Sequence, residues 1–117
     1  MVGNAGDNAV CEGAIPWSQA RSHDGEIVTV NGPIVATRYA GDGQPTYLDI
    51  GVAAPAANRV MVVVSAANRK SGFPWAPERV LGGQTVCVRG VVHVHQNDTE
   101  LDLTDAGHVY LVDAPHR

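Results

Sequence analysis

The stretch Thr85 to His95 constrains the fold more than any other part of the chain. Val86, Val88, Val92 and Val94 occupy even positions, while Thr85, Cys87, Arg89, His93 and His95 occupy odd ones. Successive side chains of a strand point to opposite faces, so this pattern predicts a strand with one buried and one wet face. Val91 breaks the alternation. Gly90, with no side chain to pack, marks a bend in mid-strand.

The remainder of the chain supplies partners for such a strand. Ile27-Val28-Thr29-Val30 leads through Gly32-Pro33 into Ile34-Val35-Ala36-Thr37-Arg38-Tyr39. A β-rich run interrupted by Gly-Pro predicts a strand that bends or bulges midway. Gly41-Asp42-Gly43 reads as a hairpin turn, and Thr46 to Ile50 alternates as the next strand. Gly51 to Asn58 reads as a loop. Arg59 to Ser65 contains the run Val60 to Val64, which suggests a strand buried on both faces. Gly72, Pro74, Pro77 and Gly82-Gly83 break the β pattern from Asn68 to Gly83, and Ala76 to Leu81 suits one helical turn with Pro77 early in it. Gln96-Asn97-Asp98-Thr99 reads as a turn. Leu101 and Leu103 then alternate with Glu100, Asp102 and Thr104. His108 to Val112 either continues that strand past a kink or adds a short one. At the other end, Pro16 to His23 suits a short helix stopped at Gly25, with Trp17 and Ala20 on one face. Met1 to Ala14 reads as a loose tail.

Five strand blocks, a short N-terminal helix and a short helix between strands three and four match the count of an all-β, five-stranded Greek-key barrel of the OB type. The expected division is a flexible tail 1–14, one barrel domain 15–113 and a C-terminal tail 114–117. Hydrophobic residues at 44% are enough for one core, and charged residues at 17% argue against disorder and against a charged tail. The net charge of −4 does not favour nucleic acid as a partner for the whole molecule. Locally the balance differs: Arg59, Arg69, Lys70, Arg79 and Arg89 share a stretch with one acid, Glu78, whereas Asp98, Glu100, Asp102, Asp105 and Asp113 follow it. No apolar run approaches the ~20 residues of a membrane-spanning helix. Met1 to Gly13 lacks the basic and apolar regions of a signal peptide.

The order and spacing of several segments resemble a group of small bacterial OB-fold domains of nucleic-acid-binding-like type. These segments are Ile15 to Ala20 with His23 and Gly25, Thr29 to Val35, Pro45 to Gly51, and Gly83 to Val92. The group is similar in architecture to the thermonuclease barrel, whose chemistry needs arginines and carboxylates around a calcium ion. Tyr47-Leu48-Asp49-Ile50-Gly51 supplies one acid and no arginine, so the resemblance implies the barrel without the catalytic set. No enzyme activity and no cofactor are expected. Cys11 and Cys87 are the only cysteines. A bridge between them would pin the tail across the barrel, and the resemblance to exported domains favours it over two free thiols. Export is accordingly favoured over a cytoplasmic location.

Three surfaces carry candidate chemistry. An OB groove binds single-stranded nucleic acid with basic side chains along phosphates and aromatic faces against bases. The candidates here are Arg38, Tyr39, Tyr47, Arg59, Arg69, Lys70, Phe73 and Trp75. The run Arg69 to Trp75 has a second reading, a loop that closes one barrel end with Phe73 and Trp75. His93 and His95 share a strand face and would hold a divalent metal if Glu100 or Asp102 joined them; the alternative is two solvated histidines. Six aromatic residues are few for a stacking surface. A protein or carbohydrate partner for an exported module is therefore the competing expectation to nucleic acid.

Overall fold

The computed structural model describes residues 6, 8–52 and 58–112. Among the described residues seven strands are present: β1 (Ile15–Pro16), β2 (Ile27–Tyr39), β3 (Thr46–Ile50), β4 (Val60–Val64), β5 (Thr85–His95), β6 (Asp98–Asp102) and β7 (Val109–Leu111). Strands β2, β3, β4, β6 and β5 are neighbours in that order, and β5 pairs back onto β2 to close a barrel. The β4–β6 pair is parallel, and the other four barrel pairs are antiparallel. This connectivity, with helical residues between β4 and β5, is that of an OB fold.

Closure depends on two long strands that change partners midway. Residues Ile27 to Pro33 of β2 pair with β5, and from Ile34 onward the strand pairs with β3. The switch falls at the predicted Gly32-Pro33 break, and the register slips between Ile34 and Ala36, leaving Val35 exposed on a bulge. Residues to Val91 of β5 pair with β2, and from Val92 the strand pairs with β6. The second switch sits beside Gly90, where a Cβ would lie 1.9 Å from the Asp102 carbonyl oxygen. The expected bends are therefore the two corners of the barrel. A third close approach seats Trp17, whose indole lies against Gly32 and Gly51; a Cβ on Gly51 would come within 2.3 Å of the ring.

The core follows the alternation. Val86, Val88 and Val92 are fully buried, facing Leu48, Ile50, Val60, Val62, Val64 and Leu101. Each such side chain contributes about 1.5–3 kcal/mol on removal from water. Val94, nearer the strand end, is only half-buried. The expected turn over Gln96 to Thr99 is tighter than the composition suggested. Only Gln96 and Asn97 lie outside the strands, and Gln96 takes a positive φ of 54°. Thr99 pairs with Val94 and is buried, because it shares the inward parity of Leu101.

Pro77–Leu81 forms the predicted helical turn (α2), and its Leu81 is fully buried as a plug. A second helix, α1 (Ala66–Gly72), precedes it, just after the expected strand Arg59 to Ser65 and running into the stretch from Asn68 that breaks the β pattern. Its start is capped locally: Ser65 Oγ accepts the Asn68 N–H at 3.1 Å. The predicted N-terminal helix is a 3-10 helix, Trp17–His23, with Ala20 buried and Gly25 at positive φ after it. Val109–Leu111 adds a short strand beside β5, which decides between the two readings of that segment.

The expected loose tail to Ala14 meets an ordered segment. Asn8–Cys11 forms a 3-10 turn, Ile15–Pro16 pairs in parallel with Val30 and Asn31 of β2, and Cys11 is bonded to Cys87. The Asn31 amide lies 3.6 Å from the Cys87 sulfur and donates to the Val86 carbonyl at 3.3 Å. The Gly6 N–H donates to the carbonyls of Ala106 and Val109, at 2.9 and 2.8 Å. Docking and cross-link together hold the N-terminal segment against β5 and β7. Residues 1–5 and 7 of the predicted tail 1–14, the predicted tail 114–117 and most of the loop 51–58 lie outside the described residues.

Two measurements check these constraints. Gly90→Ala is expected to lose about 3 kcal/mol in urea unfolding, the upper end for overpacking, because the methyl meets backbone rather than a flexible side chain. The unreduced, unfolded chain is expected to show no free thiol, and Cys11→Ser to lower stability by about 2–4 kcal/mol. Two titratable thiols would contradict the cross-link.

Candidate functional site

Strand alternation assigns one continuous outer face to the barrel. On β3, Thr46, Leu48 and Ile50 point inward and are buried, so Tyr47 and Asp49 take the outward parity. Cross-strand pairs share a face: Arg38 lies opposite Tyr47, Ala36 and Met61 opposite Asp49, and Val63 opposite Tyr47. The row continues through Glu100 beside Met61, Asp102 beside Val63 and His93 beside Glu100.

Asp49 is the centre of this face. It faces outward and is nevertheless fully buried, because two arginines and a methionine roof it. Arg38 Nη1 donates to Asp49 Oδ2, and Arg59 Nε lies 3.5 Å from Oδ1. Both guanidinium groups also approach Met61 Sδ, at 3.3 and 3.9 Å. Arg59 is largely covered, whereas 40% of the Arg38 side chain is exposed. The Arg38 guanidinium sits 5.2 Å from the Tyr47 ring centroid, within cation–π range. Both guanidinium groups thus face the one Asp49 carboxylate.

Arg69 is engaged differently. It makes a bidentate pair with Glu78 at 2.9 and 2.7 Å, donates from Nε to Thr46 Oγ1 at 3.1 Å, and lies 3.7 Å from the Tyr39 ring centroid. These contacts tie α1, α2, β2 and β3 together at one barrel end and neutralise its charge locally. Phe73 is buried in the core and meets Trp75 edge-on at 5.4 Å, and Trp75 packs half-buried against the same core. The structure thus gives Phe73 and Trp75 the barrel-closing place that was the second reading of that loop. Tyr39 and exposed Lys70 line a cleft of about 600 Å³ between the β2–β3 turn and α1.

Of the eight candidate binding residues, the structure therefore brings Arg38, Tyr47 and Arg59 together on one face. Tyr39, Arg69 and Lys70 gather at the barrel end, and Phe73 and Trp75 lie in its packing. The segment Tyr47 to Gly51 holds no arginine to pair with Asp49. Arg38 and Arg59 reach Asp49 from neighbouring strands. Drawing the β2–β3 hairpin in register from the Gly41 turn would have put Arg38 beside it. Glu78, the partner of Arg69, was likewise visible only as an isolated acid.

At the other end of the face, His93 Nε2 and Asp102 Oδ2 are 3.0 Å apart, so one of the two expected partners does approach. His95 lies opposite Asp98, near the hairpin tip. Among the described residues, no three His, Cys, Asp or Glu side chains gather as a metal site would require.

No protein-family model and no curated sequence matches the chain. Its likeness to solved structures is broad. A Leishmania major protein described as an aspartyl-tRNA synthetase superposes with a TM-score of 0.59 at 16% identity, over 89% of this chain and 21% of that one. The asparaginyl-tRNA synthetase of Pyrococcus horikoshii, complexed with asparaginyl-adenylate, superposes at 0.57 with 16% identity, over 86% and 22%. OBody AM1L10, bound to hen egg-white lysozyme, gives 0.59 at 11% identity, over 86% of this chain and 92% of its own. The likeness is one of fold. The chain spans about a fifth of the length of each synthetase.

The geometry of the Asp49 cluster predicts an asymmetry. Asp49→Ala removes the buried carboxylate that Arg38 and Arg59 face and is expected to cost about 3–5 kcal/mol by urea unfolding. Arg38→Ala removes a partly exposed partner and is expected to cost about 1 kcal/mol or less.

Proposed function

We propose that the chain is a non-catalytic OB binding module that holds single-stranded nucleic acid across the outer face of β2, β3 and β4. The observation that carries this reading is the Arg38 guanidinium, laid over Tyr47 and held by buried Asp49. A guanidinium plane fixed in this way offers a stacking surface to an unpaired base, with its charge available to the adjoining phosphate. The fold, which the chain shares with parts of two tRNA synthetases, supports the same reading. We place the module in an oxidising, extracytoplasmic setting, because the Cys11–Cys87 cross-link would persist there.

Fluorescence anisotropy of a labelled oligo-dT tests the proposal. Binding is expected at low salt, with a shallow salt dependence because few phosphates are neutralised. Arg38→Ala is expected to weaken it by roughly 5- to 150-fold, the range for loss of one stacking contact. Absence of binding at low salt overturns the nucleic-acid reading. A protein partner is the second reading, favoured by the pairing of three arginines with Asp49 and Glu78. The OBody bound to lysozyme is a barrel of the same fold holding a protein.

A further inference from the structure

The cleft at the barrel end is separate from the Asp49 face. Tyr39 and Thr46 are paired across β2 and β3, one residue along from the Arg38–Tyr47 pair, and so take the opposite parity. Their side opens at the end of the barrel, between the β2–β3 turn and α1. Barrel mouths are recurrent small-molecule sites, and about 600 Å³ falls within the usual range for them.

The cleft is built on a fixed aromatic ring. Arg69 covers Tyr39 at 3.7 Å and is itself held by Glu78 and Thr46, so the ring has little freedom to move. The Tyr39 hydroxyl reaches Asp42 Oδ1 at 3.5 Å across the turn, which closes with a Gln44 N–H to Gly41 carbonyl bond of 3.0 Å. Exposed Asp42 and Gln44 stand on one wall, with Ala66, Ala67 and exposed Lys70 on the other. Glu78 matches the charge of Arg69, which leaves one carboxylate and one ammonium to face the cleft.

This lining discriminates between ligand classes. A phosphate or other anion would meet Lys70 but also the Asp42 carboxylate, and a cation would meet the reverse. Hydroxyl groups both donate and accept, so a neutral polyol satisfies Asp42, Gln44 and Lys70 together. The apolar wall of Ala66 and Ala67, near the Tyr39 ring, suits the C–H groups of a sugar. We infer that this cleft binds a neutral saccharide of one or two rings, independently of any strand on the Asp49 face.

The experiment is a screen of the full chain on an array of neutral and anionic glycans, followed by NMR titration of the best neutral mono- or disaccharide and of inorganic phosphate. The expected result is salt-insensitive, millimolar binding of the sugar, with amide shifts at Asp42 to Gln44 and Ala66 to Lys70. Asp42→Asn and Gln44→Ala, both on an exposed turn, are expected to melt as the parent chain does and to bind about tenfold more weakly. Failure of every neutral glycan, preferential binding of phosphate, or sugar-induced shifts outside these two segments overturns the inference.

Discussion

The barrel closes because β2 and β5 each change barrel partner midway, one half of each strand pairing in the β2–β5 seam and the other half with β3 or β6. Without the bend at that change the sheet would stay open, with an unpaired edge. The change of partner at Gly32-Pro33 and again at Gly90 lets the same two strands line both sides of the core. At Gly90 the constraint is steric: the Asp102 carbonyl occupies the space a side chain would need. At Gly32 it is Trp17 that takes the space, so one corner of the barrel is also the seat of the N-terminal helix. Core burial, the outer face and the position of the cleft all follow from these two corners.

Electrostatics on the finished barrel is local. The chain is acidic overall, and three of its arginines, Arg38, Arg59 and Arg69, are held by individual carboxylates. Asp49 costs desolvation at its buried position, and its two guanidinium partners offset that cost while losing their own freedom. One partner, Arg38, remains half in solvent and stacked on Tyr47, which is the arrangement a planar ligand can use. Arg69, clamped by Glu78 and Thr46, serves instead to fasten the helices to the barrel end.

The Cys11–Cys87 cross-link extends the barrel's order to residues whose composition reads as a tail. Gly, Ala and Asn in Met1 to Ala14 have little to bury, and local propensity alone would leave them loose. The cross-link lowers the entropy cost of docking residues 8–14, and the β1–β2 pairing and the two Gly6 hydrogen bonds add to that effect.

What the sequence determined by itself was the set of barrel strands, their faces and the places where they bend. Alternation over Thr85 to His95, the Gly-Pro break in β2 and the valine run of β4 are local signals, because side-chain parity and backbone freedom are properties of neighbouring residues. The helix α1 was equally local, with Ser65 as its cap, but its alanines and asparagine carry no strong apolar period to announce it. Only the tertiary structure decided which candidate residues stand together. Arg38 and Asp49 meet through hairpin register, Arg59 and Asp49 through β3–β4 pairing, and Arg69 and Glu78 through two helices folded onto one barrel end. Contacts between residues so separated depend on how strands and helices are laid side by side, and composition holds no record of that. The same holds for Phe73 and Trp75, whose chemistry suits a binding surface but whose position in the closed barrel makes them packing.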